Sequence, residues 1–139
     1  MALVLDTGVI YAALDDTDPR HPTCAGLIEE SHEQLVIPAP VFVELDYWVG
    51  KFASAEVWLA FCEQVQVGAY AIYPLDLALL MAAAQLEARY ADLQLGIVDA
   101  SVVATCETLG EDKVATLDRR HFGVVKTSAG KSLRIVPEA

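Results

Sequence analysis

Two aspartates follow predicted strands, where carboxylates can take part in chemistry. Asp6 follows the apolar run 2–5, and Asp118 follows the predicted strand 113–117. Short apolar runs without polar alternation are typical of strands buried on both faces of a parallel sheet. Ligands of such sheets bind beyond the carboxyl ends of the strands. Both residues are therefore candidate catalytic residues, although an aspartate at either position is equally suited to form a turn or cap a helix.

Two further acids interrupt apolar helical faces. Glu44 lies three residues after Val41 and four before Trp48, a spacing that places it inside the apolar stripe of a helix. Asp99 shares the face of a later helix with Val103. A buried carboxylate is unfavourable unless it is paired or bound to a metal ion, which favours a functional role for both acids. For Asp99, the favourable interaction of an acid with a helix N-terminus is the alternative explanation.

The four acids together indicate a cation site. Carboxylates at strand ends and on inward helical faces can converge, and converging anions repel each other unless a cation lies between them. Carboxylate oxygens are the ligands that Mg²⁺ and Mn²⁺ prefer. A zinc site is not indicated, because His21, His32 and His121 are far apart in the sequence and lack ligand spacing. We expect His21 and His32 to be surface residues.

The elements that must position these acids alternate along the chain. Strands are predicted at 2–5, 35–37, 71–74, 113–117 and 133–136. Helices are predicted at 9–14 and 22–33, from Pro40, from Ser54, and at 76–90 and 98–109, with a loop at 92–96. Asp76 is expected to cap the fifth helix and Gly110 to end the sixth. This alternation predicts an α/β fold, a single domain over residues 1–139 with a central parallel sheet of about four to five strands flanked by helices.

The composition agrees with one globular domain and excludes several classes of function. The 139 residues are 55% hydrophobic, which is enough to form a core. The net charge of −11 excludes nucleic-acid binding through bulk electrostatics, and most of the basic residues lie in 111–139. Three cysteines without a C-x-x-C pair argue against a disulfide framework. Since no apolar run approaches the roughly 18 residues of a membrane span and no leader pattern is present, we expect a cytoplasmic protein without a membrane segment.

Four segments of the chain resemble the acidic motifs of a known family. They are LVLDTGVIYA (3–12), VFVEL (41–45), LGIVDASVVA (95–104) and VATLDRRHF (114–122). Their order and spacing are similar to those of PIN domains, and more closely to those of the VapC-type toxins of bacterial toxin–antitoxin operons. The resemblance implies a parallel sheet with surrounding helices and a Mg²⁺- or Mn²⁺-dependent endoribonuclease that a cognate antitoxin protein neutralises. RNA is then the substrate, and we expect a homodimer.

The resemblance assigns roles to individual residues. It places the catalytic and metal-binding acids at Asp6, Glu44, Asp99 and Asp118. We expect Asp6 and Asp99 to bind the ion, and Glu44 and Asp118 to orient water around it, with one of them acting as general base. Some relatives carry a further acid before the third motif, and the nearby Asp92 is interpreted as an outer-shell residue or a helix cap.

Residues near these acids are candidates for binding phosphate. Thr7 and Thr116 are expected either to hydrogen-bond a carboxylate or phosphate, or to make a local backbone bond. Arg119 and Arg120 follow Asp118 in the basic segment, and their guanidinium groups suit phosphate. Ion pairs with the neighbouring acids are the alternative explanation for these arginines.

Aromatic residues offer a surface for the expected partner. Trp48, Phe52 and Trp58 either pack in the core or line a groove for a second subunit or an antitoxin. An antitoxin is expected to place an amphipathic helix in an apolar groove and a basic side chain among the acids.

Other functions are open at the level of the sequence. The tripeptide Asp6-Thr7-Gly8 occurs in aspartic proteases, but those enzymes are mostly β, which the helical periodicity here contradicts. A metal-dependent phosphatase is disfavoured because no D-x-D pattern follows the first strand. A housekeeping PIN-domain RNA-processing nuclease and a catalytically silent PIN-like binding module are the remaining alternatives.

Overall fold

A computed structural model describes residues 1–138, in which strands and helices alternate as predicted. Residue 139, the last of the predicted domain, lies outside the described residues. The strands are β1 (Ala2–Val4), β2 (Gln34–Pro38), β3 (Ala71–Tyr73), β4 (Lys113–Ala115) and β5 (Arg134–Val136). The helices are α1 (Thr7–Leu14), α2 (His21–Glu29), α3 (Ala39–Phe52), α4 (Ala55–Gln66), α5 (Leu77–Arg89), α6 (Ile97–Leu109) and α7 (Arg119–Phe122), with a 3₁₀ turn at Ala91–Leu93. Over this range, every helix is too short or too polar to cross a membrane.

The main sheet is smaller than the sequence predicts. It has three parallel strands in the order β1-β2-β3, with Leu3 opposite Leu35 and Ile37 opposite Ile72. Strands β4 and β5 pair in parallel with each other as a separate two-stranded sheet. The prediction of one sheet of four to five strands is therefore wrong for residues 1–138, although the alternating α/β class and the parallel pairing are confirmed.

The sheet divides because β1 and β4 meet only at their carboxyl ends. A single bridge joins Leu5 to Ala115, and the Asp6 N–H donates to the Ala115 carbonyl at 2.9 Å. At the other end of β1, the Ala2 N–H donates to the Glu111 carboxylate at 3.1 Å, so a side chain takes the place of a strand neighbour there. The two sheets are thus connected at the point where Asp6 leaves β1.

Most helix boundaries follow the capping residues. Ser54 caps α4 by accepting from the Val57 N–H at 3.2 Å, and Asp76 caps α5 in the same way. Gly110 ends α6 with a φ of 71°, in the left-handed region that glycine adopts readily. Helix α2 ends earlier than the predicted residue 33, and Glu33, beyond its end, pairs with Lys113 at the start of β4.

Two helices carry acids beside strongly buried residues. On α3, Val41, Leu45 and Val49 are completely buried, which confirms the apolar stripe around Glu44. On α6, all of 100–106 is buried, and Asp99 lies in the first turn just before this segment. Both helices are therefore held in place by the core while their acids remain partly accessible.

Substitutions on either side of Glu44 test how the core fixes α3. Leu45→Ala should lower the free energy of unfolding by about 2–5 kcal/mol, because it opens a cavity in a fully buried position. Val43→Ala, at a side chain that is 75% exposed, should change it by less than about 0.5 kcal/mol. Urea unfolding of both variants checks this, and equal effects would contradict the buried stripe.

Candidate metal-binding active site

The four predicted acids line one cleft near the carboxyl ends of β1 and β4. The cleft has a volume of about 330 Å³. Each acid comes from a different element, and their positions are the N-cap of α1 for Asp6, the middle of α3 for Glu44, the first turn of α6 for Asp99 and the N-cap of α7 for Asp118. The other residues of its wall are Thr7, Gly8, Arg20, Trp48 and Leu117.

Asp6 is the most deeply buried of these acids. Its side chain accepts hydrogen bonds from the Thr7 N–H at 2.8 Å and from the Thr116 hydroxyl at 2.7 Å. The same hydroxyl accepts from the Asp118 N–H at 3.0 Å. Thr116 therefore connects two of the acids, and its expected bond to a carboxylate is present. Asp6 also caps α1, so the structural and the proposed functional roles of this residue coincide.

Crowding of carboxylates disfavours their ionised forms. Burial raises the pKa of Asp6 from 3.8 to about 7, and the negative charges of Asp99 and Glu44 add to this. The hydrogen bonds from Thr116 and Thr7 act in the opposite direction without offsetting it. The site thus concentrates more negative charge than its own hydrogen-bond donors compensate.

At Asp99 too, burial and neighbouring negative charges oppose the effect of a hydrogen-bond partner on the pKa. Burial raises its pKa, and the charges of Asp118 and Glu44 raise it further. The hydrogen bond and the charge of His121 lower it. His121 is thus the partner that opposes the crowding around Asp99.

His121 is a site residue that the sequence analysis missed. Its ring Nδ1 lies 2.8 Å from Asp99 Oδ2 and 3.0 Å from Asp118 Oδ2. Ligand atoms of these three residues all lie within 4.8 Å of one another. The sequence does carry a local signal for His121, because this residue follows Asp118 by three positions. At this spacing, an aspartate at the N-cap accepts a hydrogen bond from a backbone N–H of its helix.

The residues proposed to bind phosphate are only partly brought together. Thr7 lines the cleft, and its hydroxyl is buried with no hydrogen-bond partner within residues 1–138. Arg119 lies in an adjacent pocket and donates to the Pro137 carbonyl at 2.8 Å. Arg120 is exposed on α7, and Asp92 is exposed on the 3₁₀ turn, and neither is among the described residues that line the cleft.

Arg20, which the sequence analysis did not single out, lies at the wall of the cleft. Arg20 lines both the cleft and the adjacent pocket that contains Arg119. Its guanidinium contacts both carboxylate oxygens of Asp18, at 3.2 and 3.3 Å. No sequence spacing relates Arg20 to the four acids, so only the fold brings it to this position.

An apolar groove continues from the cleft. It has a volume of about 680 Å³ and shares Glu44 and Trp48 with the acidic site. Its remaining walls are formed by Ala39, Pro40, Val43, Tyr47, Leu75, Ile97 and Val98. Of the aromatic residues with two proposed roles, Trp48 therefore lines the groove, whereas Trp58 packs against the core.

The side-chain oxygens of the cleft suit a divalent cation that prefers oxygen ligands. Four carboxylates converge, and the raised pKa values of Asp6 and Asp99 indicate negative charge that lacks a counterion. The unpartnered hydroxyl of Thr7 adds a further oxygen at the same wall. Hard ions such as Mg²⁺ and Mn²⁺ take such ligands, usually together with water.

Comparisons with known proteins agree with this geometry. The family model of the PIN domain matches residues 3–126. The chain is 29% identical over 135 residues to the ribonuclease VapC26 of Mycobacterium tuberculosis, covering 97% of this chain and all of that protein. The crystal structure of the Mycobacterium tuberculosis VapC20, a sarcin–ricin loop cleaving toxin, superposes with a TM-score of 0.73 at 17% identity and covers 82% of this chain and 87% of that one. FitAcB from Neisseria gonorrhoeae has a TM-score of 0.67 at 22% identity, with 97% and 96% covered.

The raised pKa of Asp6 predicts how stability depends on pH in metal-free protein. Between pH 3.8 and about 7 the folded protein retains a proton at Asp6 that the unfolded chain has released. Raising the pH through this window should therefore lower the free energy of unfolding, by up to about 4 kcal/mol from this group. Urea unfolding in EDTA at pH 5 and pH 8 measures the part of this change that lies above pH 5, about 3 kcal/mol.

The Asp6→Asn variant isolates that contribution. Because asparagine does not ionise, its stability should fall less between the two pH values than that of the parent. Asp112→Asn, at an exposed carboxylate, serves as the control and should follow the parent. An identical pH dependence in the parent and in Asp6→Asn would contradict the raised pKa.

Proposed function

The chain belongs to the PIN domain family, and on that premise we propose that it is a metal-dependent endoribonuclease, the toxin of a type II toxin–antitoxin pair. The convergence of Asp6, Glu44, Asp99 and Asp118 in one cleft carries the proposal. These are the acids that the family motifs single out, and they meet although they lie on four different elements. The curated relative with 29% identity is a ribonuclease, which supports the same reaction here.

A divalent ion is proposed to bind between these acids, with Asp6 and Asp99 as its principal ligands and with Glu44 and Asp118 close by. When bound, the ion supplies neutralisation of charge on the phosphoryl oxygens and Lewis-acid activation of water. The hydrogen bonds from Thr116 and the Thr7 N–H orient the Asp6 carboxylate toward this position.

The side chains around the ion have separable roles in hydrolysing a phosphodiester. Within residues 1–138, Glu44 has no hydrogen-bond partner and lies at the mouth of the groove, so its carboxylate is free to accept a proton from the attacking water. The unpartnered hydroxyl of Thr7, at the wall of the cleft, supports a proposed role in donating to a phosphate oxygen. The Thr116 hydroxyl bonds both the Asp6 carboxylate and the backbone N–H of Asp118, and these bonds keep the two acids in place during turnover.

RNA binding must depend on local cations, because the net charge of −11 opposes long-range attraction. Arg20 is at the cleft wall, and Arg119 lies in the adjacent pocket. We propose that these two guanidinium groups contact phosphates next to the cleaved bond, whereas Arg120, which is exposed on α7, contacts more distant backbone.

The apolar groove supports an antitoxin as the partner. Solved relatives include toxin–antitoxin complexes from Klebsiella pneumoniae and Rickettsia felis, so this fold accommodates such partners. Here the groove joins the acidic cleft through Glu44 and Trp48. An amphipathic helix in the groove would therefore bring a basic side chain of the antitoxin next to the carboxylates.

A separate apolar surface supports a homodimer. Along one helix, α5, Leu77 is 73% exposed, Leu80 42% and Met81 51%. A cluster of exposed apolar side chains on one helix is typical of an interface between subunits. We propose that this surface pairs with its copy in a second chain, which leaves the groove free for the antitoxin.

Cleavage of RNA should depend on the ion and on the acids. Purified protein freed of any partner should cut structured RNA in Mg²⁺ or Mn²⁺ and stop in EDTA. Glu44→Gln should lower the cleavage rate by about 10²–10⁴-fold, because it removes the proposed general base. Asp46→Asn, an exposed acid on the same helix, should cleave at the rate of the parent.

Expression in cells separates a toxin from a housekeeping nuclease. The parent alone should arrest growth, and Glu44→Gln should not. Cleavage that persists in EDTA, or that Glu44→Gln leaves intact, would contradict the mechanism. Growth unaffected by an active parent would contradict the toxin assignment and favour the housekeeping alternative, whereas a parent without cleavage in either ion would favour the silent binding module.

Two matched substitutions separate the antitoxin groove from the dimer surface. Val43 and Leu77 have similar exposed fractions, 75% and 73%, but only Val43 lines the groove. Val43→Asp should prevent co-purification with a co-expressed antitoxin of the VapB type and leave the dimer intact. Leu77→Asp should give a monomer by light scattering that still binds that antitoxin. If each variant behaved as predicted for the other, the two surfaces would be wrongly assigned.

A further inference from the structure

One histidine joins two of the acids through three short contacts. Both the backbone N–H and the ring of His121 reach the carboxylate of Asp118, with the N–H 3.0 Å from Oδ1 and Nδ1 3.0 Å from Oδ2. The same Nδ1 lies 2.8 Å from Oδ2 of Asp99, on α6. A single residue therefore bonds one carboxylate through its backbone N–H and a second carboxylate, from another helix, through its ring.

The short helix α7 is built so that this ring faces the acids. Asp118 caps its N-terminus, and the next residue after His121, Phe122, is 3% exposed and anchors the turn in the core. A Cβ added at Gly123 would overlap the Arg119 carbonyl oxygen, so glycine is needed to close the turn. The position of His121 is thus set from both sides by neighbouring residues.

The partners of the ring determine which nitrogen carries the proton. Both atoms that Nδ1 contacts are carboxylate oxygens, which can only accept. Where both carboxylates are ionised, Nδ1 is therefore the protonated nitrogen, which donates to Asp99 and lies in charge contact with Asp118. An Nδ1–H in this position cannot at the same time be a metal ligand, because a ligand nitrogen needs a free lone pair.

We propose that His121 is a positioning residue, whose ring Nδ1–H holds Asp99 beside Asp118, which accepts from the backbone N–H of the same histidine, so that the cation site is formed before the ion binds. The inference rests on the proposed metal-binding function and adds a residue to it. Without the ring, two like-charged carboxylates on different helices would separate, and an ion would have to bring them together. Partners that orient metal ligands typically affect ion affinity by 10–100-fold when removed.

Asparagine and glutamine test this geometry at a single position. The side-chain nitrogen of asparagine corresponds to Nδ1 of histidine, and that of glutamine corresponds to Nε2. Calorimetric titration of metal-free protein with Mn²⁺ and with Mg²⁺ measures affinity independently of cleavage. We expect His121→Ala and His121→Gln to weaken binding of both ions by about 10–100-fold, and His121→Asn to stay within a few-fold of the parent. His32→Ala, at an exposed histidine, is the matched control and should bind as the parent does.

The pattern across variants distinguishes the possible roles. If His121→Ala bound both ions as tightly as the parent, the inference would be overturned. If His121→Asn lost affinity as fully as His121→Ala, and Mn²⁺ binding fell much more than Mg²⁺ binding, the ring would be a direct nitrogen ligand and the inference would also be wrong. Unfolding in EDTA checks that each variant is folded, and should His121→Ala fail to fold, the asparagine–glutamine pair still decides. A parent that binds neither ion and cuts no RNA would refute the proposed function itself.

Discussion

Negative charge confined to one partly buried cleft is the constraint on which the rest of the structure depends. Asp6 accepts two short hydrogen bonds, and still its pKa is raised to about 7, because burial and two neighbouring acids outweigh those donors. Charged groups in such surroundings separate, take up protons or bind a cation unless the protein holds them together. The fold holds the acids together with elements that are anchored in the core. These elements include short strands and the short helix α7.

The rigid frame comes from buried residues, most of them apolar. All of β1 is buried, as are Val114 and Ala115 of β4 and the whole of 100–106 in α6. The two sheets join by one bridge, between Leu5 and Ala115, and the side chains of the residues that follow them, Asp6 and Thr116, form a hydrogen bond immediately beyond it. The contact between the sheets and the first contact within the site are therefore continuous, so the site cannot loosen without separating the sheets.

The sequence singles out candidate acids because an acid inside an apolar pattern is visible without a structure. Glu44 interrupts the stripe that contains Val41 and Leu45, both of which are fully buried. The division of the sheet was not predictable, because it depends on whether β1 and β4 pair along their length, and a side chain, Glu111, bonds Ala2 instead. His121 was missed for a related reason. Its role depends on the orientation of a one-turn helix and on Asp99, which is 22 residues away in the chain.

The cleft and the groove share two residues, so under the proposed function catalysis is coupled to partner binding. Glu44 and Trp48 form walls of both, so a helix that fills the groove must end beside the carboxylates. The charge that draws a divalent ion into the cleft draws a lysine or arginine side chain equally, since both relieve the same repulsion. Under the proposed function, a basic side chain from the antitoxin and the ion then compete to neutralise the same negative charge. Inhibition therefore needs no rearrangement of the acids, and a partner whose helix is apolar on one face but lacks a basic residue near its end would bind the groove without neutralising the site.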